Sequence, residues 1–137
     1  MNGRFTGMLT AALLAWLWAA APLLAHHSFA AEFDIDKSIT LAGNVTKVLW
    51  TNPHVYIFID VKNDKEEVTN WGFELGGPNS LLRAGWTRDA VRIGDLVTID
   101  GYRAKDGSNL ASARSIKLPD GRKLSTASLA GAGNPTK

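Results

Sequence analysis

Val55-Tyr56-Ile57-Phe58-Ile59-Asp60-Val61 is the stretch on which the fold turns. Val55, Ile57, Ile59 and Val61 alternate with Tyr56, Phe58 and Asp60, the period of a strand with one buried face. The odd positions form the core face, and Tyr56 and Phe58 project to the other side. Upstream, Thr51-Asn52-Pro53-His54 interrupts with turn chemistry, since Pro53 has no N–H and Asn52 favours local side-chain bonds. From Ile39 to Trp50 the chain alternates again, with Leu41 and Val45 on one face. It then slips parity so that Val48 and Trp50 continue the apolar set. Such a slip predicts a bulge or strong coiling between Gly43 and Lys47.

Downstream, Asn63-Asp64-Lys65-Glu66-Glu67 reads as a charged hairpin loop. A third strand follows from Val68 to Leu75, with Trp71, Phe73 and Leu75 opposite Asn70, Gly72 and Glu74. Gly76-Gly77-Pro78-Asn79 ends the sheet and starts a short helix with an apolar stripe of Leu81, Leu82 and Ala84, which Gly85 stops. Thr87 can cap a second turn, and Gly94-Asp95 returns the chain to strand. A fourth strand is expected from Leu96 to Arg103, with Val97 and Ile99 inward, and a fifth from Ala111 to Leu118, with a parity slip between Ala113 and Ile116. Three strands, one short helix and two strands define an all-β domain. The order is that of a small five-stranded Greek-key barrel of the oligonucleotide/oligosaccharide-binding (OB) type. A small open sandwich is the alternative.

The remainder of the chain divides around residues 39–124. Met1-Asn2-Gly3-Arg4 carries one charge and is followed by a Leu-, Ala- and Trp-rich run to Ala21, the order of a secretory signal peptide. Pro22 breaks the helix and Ala25 supplies a small residue at the cut, so residues 1–25 are expected to be removed. A retained anchor is the alternative, because the run approaches the roughly 20 residues that span a bilayer. The expected destination is the periplasm or the medium, with no stable membrane insertion after cleavage. Residues 26–38 read as an extended arm. The Gly-, Ala-, Ser- and Pro-rich tail 125–137 reads as disordered.

Removing the leader takes away Arg4 and no acid, so 15 basic residues become 14 against 13 acidic ones. A nearly neutral chain lacks the basic excess that phosphate binding needs, which argues against a nucleic-acid partner. With no cysteine, the domain relies on its apolar core and offers no thiol chemistry. Gly76-Gly77 precedes Pro78 rather than a phosphate-cradling turn, so no nucleotide signature is present.

His26-His27-Ser28-Phe29, Trp50-Thr51-Asn52-Pro53-His54, Glu74-Leu75-Gly76-Gly77-Pro78-Asn79 and Arg83-Ala84-Gly85-Trp86 together resemble a family of small exported bacterial proteins, domain-of-unknown-function family 6152. The resemblance extends to about Lys123 and implies a secreted small β-barrel, with no activity and no catalytic residues to carry over.

Function is therefore read from chemistry. If the cut falls after Ala25, His26 becomes the N-terminus, and its amine and Nδ1 can chelate a transition metal such as copper. His54 from the first loop would supply a second imidazole, as in a histidine brace. In a second scheme the amine, the next amide nitrogen and His27 bind Cu(II) in a tetragonal plane. The plainer reading makes His26-His27 a flexible arm and His54 a loop cap beside Pro53.

Glu32, Asp34 and Asp36 could orient a ligating imidazole or simply solvate the approach to the barrel. A rival function uses Tyr56, Phe58 and Trp50 as an aromatic platform for a periplasmic or extracellular protein or glycan; the plainer reading buries them at the core or rim. Lys117, Arg122 and Lys123 read as a solvated edge. No Ser-His-acid set is placed, so a non-catalytic binding protein is expected, with copper-dependent oxidation as a minor alternative.

Overall fold

The computed structural model describes residues 29–128. The predicted leader, its cut after Ala25, His26 and His27 lie outside the described residues. A single helical turn, α1 (Phe29–Glu32), leads directly into a long strand, β1 (Phe33–Leu49). Then come β2 (Tyr56–Lys62), β3 (Val68–Glu74), the short helix α2 (Pro78–Arg83), β4 (Leu96–Ala104), β5 (Leu110–Lys117) and the three-residue β6 (Lys123–Ser125). Among the described residues no helix is long and apolar enough to cross a membrane.

The sheet runs β3-β2-β1-β4-β5-β6, and a parallel pairing of β3 with β5 closes it, with Gly72 opposite Leu110 and Glu74 opposite Ser112. Five strands thus form a ring in which β1 joins β2 on one side and β4 on the other. This ring, with α2 between β3 and β4, is the predicted OB-type barrel rather than an open sandwich.

Strand β1 can serve both neighbours because it coils. It pairs with β4 from Ser38 to Asn44 and with β2 from Asn44 to Leu49, with a register break between Val45 and Lys47 where the apolar parity slips. Gly43 permits the bend, since a Cβ there would stand 2.3 Å from the Asp60 carbonyl oxygen. The second slip is also a bulge. Asp100 pairs with Ser115 and Gly101 with Ala113, which leaves Arg114 unpaired and exposed.

Val55, Ile57 and Ile59 are fully buried with Phe73, Leu75, Val97, Ile99 and Ile116, as the alternation predicts. Truncating one of these large side chains to Ala costs about 2–5 kcal/mol.

Several expectations need correction. The arm is not wholly extended, because Phe29–Glu32 is helical and β1 begins at Phe33 rather than Ile39. Aromatic contact holds it there: Phe29 stacks on Phe33 at 5.6 Å between centroids and meets Tyr102 edge-on at 6.0 Å. Lys105 adds a backbone N–H to the Glu32 carbonyl (2.9 Å) and its Nζ to the Ala30 carbonyl (2.6 Å).

The start of the expected disordered tail is ordered too. Ser125 ends β6, and Thr126 and Ser128 are buried with both hydroxyls donating to the Ala113 carbonyl. In α2 only Leu81 of the predicted stripe is buried; Leu82 and Ala84 are exposed, because a helix of six residues turns one narrow face to the barrel.

Candidate functional site

His54 ends the loop between β1 and β2, immediately before the buried Val55. The β2–β3 register places Tyr56 directly opposite Glu74. The pairing continues past the strand ends, with the Leu75 N–H donating to the Val55 carbonyl (2.8 Å) and the Val55 N–H to the Gly76 carbonyl (3.2 Å). His54 and Tyr56 share strand parity, so both reach one carboxylate. His54 Nδ1 lies 2.8 Å from Glu74 Oε1, and Tyr56 Oη donates to Glu74 Oε2 at 3.0 Å. The Glu74 side chain is 13% exposed and that of His54 31%.

Nδ1 of His54 faces the carboxylate at ion-pair distance. No described residue bonds to its Nε2. A carboxylate behind an imidazole is the arrangement that orients a metal-binding or proton-accepting histidine. Tyr56 is pushed up to about 12, first by burial and then by the charge and hydrogen bond of Glu74, so it remains the donor near neutral pH.

Two glycines let the walls of the site close on β3. A Cβ on Gly77 would stand 2.6 Å from the Pro53 carbonyl oxygen, and one on Gly76 would stand 2.3 Å from that of Ala127. The His54 loop therefore approaches from one side and the C-terminal strap Thr126–Ser128 from the other. The Gly76 N–H donates to the Thr126 carbonyl at 2.9 Å, and Trp86 Nε1 secures the approach by donating to the Ser125 carbonyl at 2.7 Å. Between them lies a cleft of about 260 Å³ lined by Phe29, Glu32, His54, Glu74, Ser80 and Ser128, among others. Glu32, Tyr56 and Glu74 also border an adjoining groove of about 620 Å³ beside Leu110 and Asp106.

Of the predicted metal ligands, only His54 falls within the described residues. Among those residues, no group of three or more His, Asp or Glu side chains is gathered to hold a metal. Glu32 lines the cleft. Asp34 instead pairs with Lys37 (3.4 Å), and Asp36 is exposed. The partner of His54 is Glu74, which sequence reasoning placed only as an outward strand residue. A signal for it existed in the hairpin: with Lys62 opposite Val68 across the charged loop, counting back along both strands pairs Tyr56 with Glu74.

The aromatic candidates are partly buried and each is engaged. The Phe58 ring lies against Gly72, where a Cβ would approach to 3.1 Å, and Lys47 Nζ stands 5.7 Å from its centroid. Trp50 packs on the core beneath the Arg88 guanidinium at 6.0 Å, with its Nε1 buried and unbonded among the described residues. At the basic edge Arg122 pairs with Asp120 (2.7 Å) and Lys123 with Asp100 (2.9 Å).

Barrel and cleft together define a small OB-type protein with a histidine–carboxylate pair at one end. The chain belongs to DUF6152, a family of unknown function, whose sequence profile matches residues 15–113. No curated protein matches it. Among solved structures it is similar to a mitochondrial single-stranded DNA-binding protein of S. cerevisiae, Rim1. The two share 12% identity at a TM-score of 0.48, over 61% of this chain and 93% of that one.

Proposed function

We propose that this protein is an exported, non-catalytic binding barrel of the periplasm or medium. It holds a transition-metal ion, copper(II) foremost, between His54 and the histidines of its mature N-terminus. The observation that supports this most is the His54–Glu74 pair in a cleft that Phe29 also lines. His27 and His26 precede Phe29 by two and three positions.

A cut after Ala25 would free an amine that loses its proton at about pH 7.7–8.0, so ligation costs little near neutrality. Amine and imidazole nitrogens suit a tetragonal Cu(II) site.

The test starts from the mass of the mature protein. Cu(II) is then titrated into that protein, a version with one extra residue before His26, and His54→Ala. Both changes should weaken binding and alter its spectrum; equal, weak binding by all three sinks the reading.

A second reading, a protein- or glycan-binding module, draws support from Tyr56, which is half-buried on the wall of the larger groove. On that reading, replacing Tyr56 and Phe58 together with Ser abolishes partner capture without unfolding the barrel. An oxidative copper enzyme would need an open coordination position in addition. Neither reading involves nucleic acid, and salt-dependent capture of single-stranded DNA by the processed protein would overturn that part.

A further inference from the structure

We infer that the groove across β1, β4 and β5 is a binding site for a sugar acid, in which Arg114 takes the carboxylate and the hydroxyls of Ser38, Thr40 and Tyr102 take the ring hydroxyls. This groove shares no lining residue with the His54 cleft or with the groove beside it, and it does not rest on the copper reading.

Arg114 is the extra residue of the β4–β5 bulge, and a bulge re-aims the side chain it carries. The backbone there is fixed: the Arg114 carbonyl accepts the Thr126 N–H at 3.3 Å, and the Ala113 carbonyl accepts the hydroxyls of Thr126 and Ser128. The side chain is left over. Arg83, Arg92 and Arg122 bond to neighbouring side chains, and Arg88 and Arg103 lie over tryptophan rings. Arg114 alone among the described arginines has no partner, so its fork of donors is open.

Arg114 lines a groove of about 320 Å³ with Ser38, Thr40, Asp100 and Tyr102. That volume lies at the lower end of the roughly 300–1,000 Å³ of small-molecule sites. The strand register sets two polar rows across it, Ser38 opposite Tyr102 and Thr40 opposite Asp100. Thr40 donates its hydrogen to Asp100 at 2.8 Å, so its oxygen has only lone pairs left to offer. The hydroxyls of Ser38 and Tyr102 have no partner among the described residues and are able to donate or accept.

Charge selects among the anions that suit a guanidinium. The fork matches a pair of oxygens on a carboxylate or on a phosphate. Asp100 borders the same groove as an ionised group whose partner is Lys123 at 2.9 Å, not Arg114. A dianionic phosphate meets that negative charge with twice the repulsion of a carboxylate. The hydroxyls beside the fork then favour a ligand that carries hydroxyls next to its carboxylate, and a uronic acid has both on one ring.

Galacturonate is titrated into the full chain and into Arg114→Ala, Arg114→Lys, Ser38→Ala and Arg122→Ala, with amide shifts in two-dimensional NMR as the readout. Galactose, acetate and galactose phosphate are the comparison ligands. Galacturonate should shift the amides of Ser38, Tyr102 and Arg114 and leave those of His54 and Glu74 in place. Arg114→Ala should lose at least about tenfold in affinity, the worth of one charged hydrogen bond. Arg114→Lys should lose part of that, because it keeps the charge without the fork. Arg114 makes no side-chain contact among the described residues, so both variants should melt with the parent. Ser38→Ala should weaken galacturonate and not acetate, and Arg122→Ala, an arginine outside the groove, should match the parent.

Equal affinity in the parent and Arg114→Ala, or shifts that miss the groove, overturns the site. Acetate or galactose binding as tightly as galacturonate overturns the pairing of carboxylate with hydroxyls, and tighter binding of galactose phosphate overturns the choice of a carboxylate. A galacturonate oligomer separates the sources: tighter binding than the monomer marks a polysaccharide, equal binding the free sugar acid, and both uphold the site.

Discussion

Two carboxylates on this barrel, Asp100 and Glu74, start from the same chemistry and end in different roles. Each projects from a central strand, is partly buried, borders a groove and accepts bonds from side chains on neighbouring elements. Asp100 takes Thr40 Oγ1 (2.8 Å), Ser115 Oγ (2.8 Å) and Lys123 Nζ (2.9 Å), two hydroxyls and a fixed cation. These partners tie β1, β5 and β6 to β4. Glu74 takes a phenol and an imidazole, and the imidazole has a second nitrogen to offer. A carboxylate whose partners are used up by the contact stabilises the fold. One whose partner retains an unused ligand atom can serve a site.

The largest effect that sharpens this contrast is expected at Gly76. Gly76→Ala drives a Cβ against a backbone carbonyl of the strap and should cost about 3 kcal/mol, the upper end of overpacking penalties. The loss should fall on the Glu74 side: urea unfolding would show the destabilisation, and amide exchange would show lost protection at Thr126 and Gly76 while the Asp100 strands keep theirs. Uniform loss of protection would mean that the strap and the barrel are one unit.

Next in size is Asp100→Asn, at about 1 kcal/mol near neutral pH, because solvent screens the exposed Lys123 partner. The Lys123 contact is the chief cause that lowers the Asp100 carboxyl from 3.8 to about 2, helped by the two hydroxyls and opposed by burial. A depressed acid contributes stability above its unfolded pKa and loses it as pH falls, here between about 4 and 2. Acid titration of the melting temperature should show a shallower decline in Asp100→Asn than in the parent, the remainder belonging to the other lowered carboxyls Asp89, Asp106 and Asp120; parallel curves would refute the assignment.

The smallest effects belong to the other carboxylate. Glu74→Gln should cost under about 1 kcal/mol, since its partners are part-exposed and water can replace the bonds. Tyr56 gives the opposite pH signature to Asp100. Its raised pKa adds stability that is fully present below 10 and is lost as pH climbs towards 12. Tyr56→Phe should abolish that alkaline loss in thermal melts, and an unchanged alkaline limb would mean that neither burial nor Glu74 holds the Tyr56 hydroxyl protonated.

Most of the barrel was legible because burial imposes a period. Val55, Ile57 and Ile59 had to face inward together, and each break in parity, at Val45–Lys47 and at Arg114, became a bulge. The ends of the domain were not legible, because their order comes from single long-range contacts rather than repetition. Nothing periodic in Thr126-Ala127-Ser128 announces that its hydroxyls meet the Ala113 carbonyl, or that Gly76 leaves room for it. The site was half legible. His54 stood out by residue type, whereas Glu74 looked like any outward strand acid until the hairpin register set it against Tyr56.

Phe29 and Ser128, the first and last described residues, line the same cleft. A probe attached at either of these two positions would therefore sit at the site. The hairpin tip at Asp64, exposed and outside the cleft lining, is the better place for a purification handle or a fluorophore.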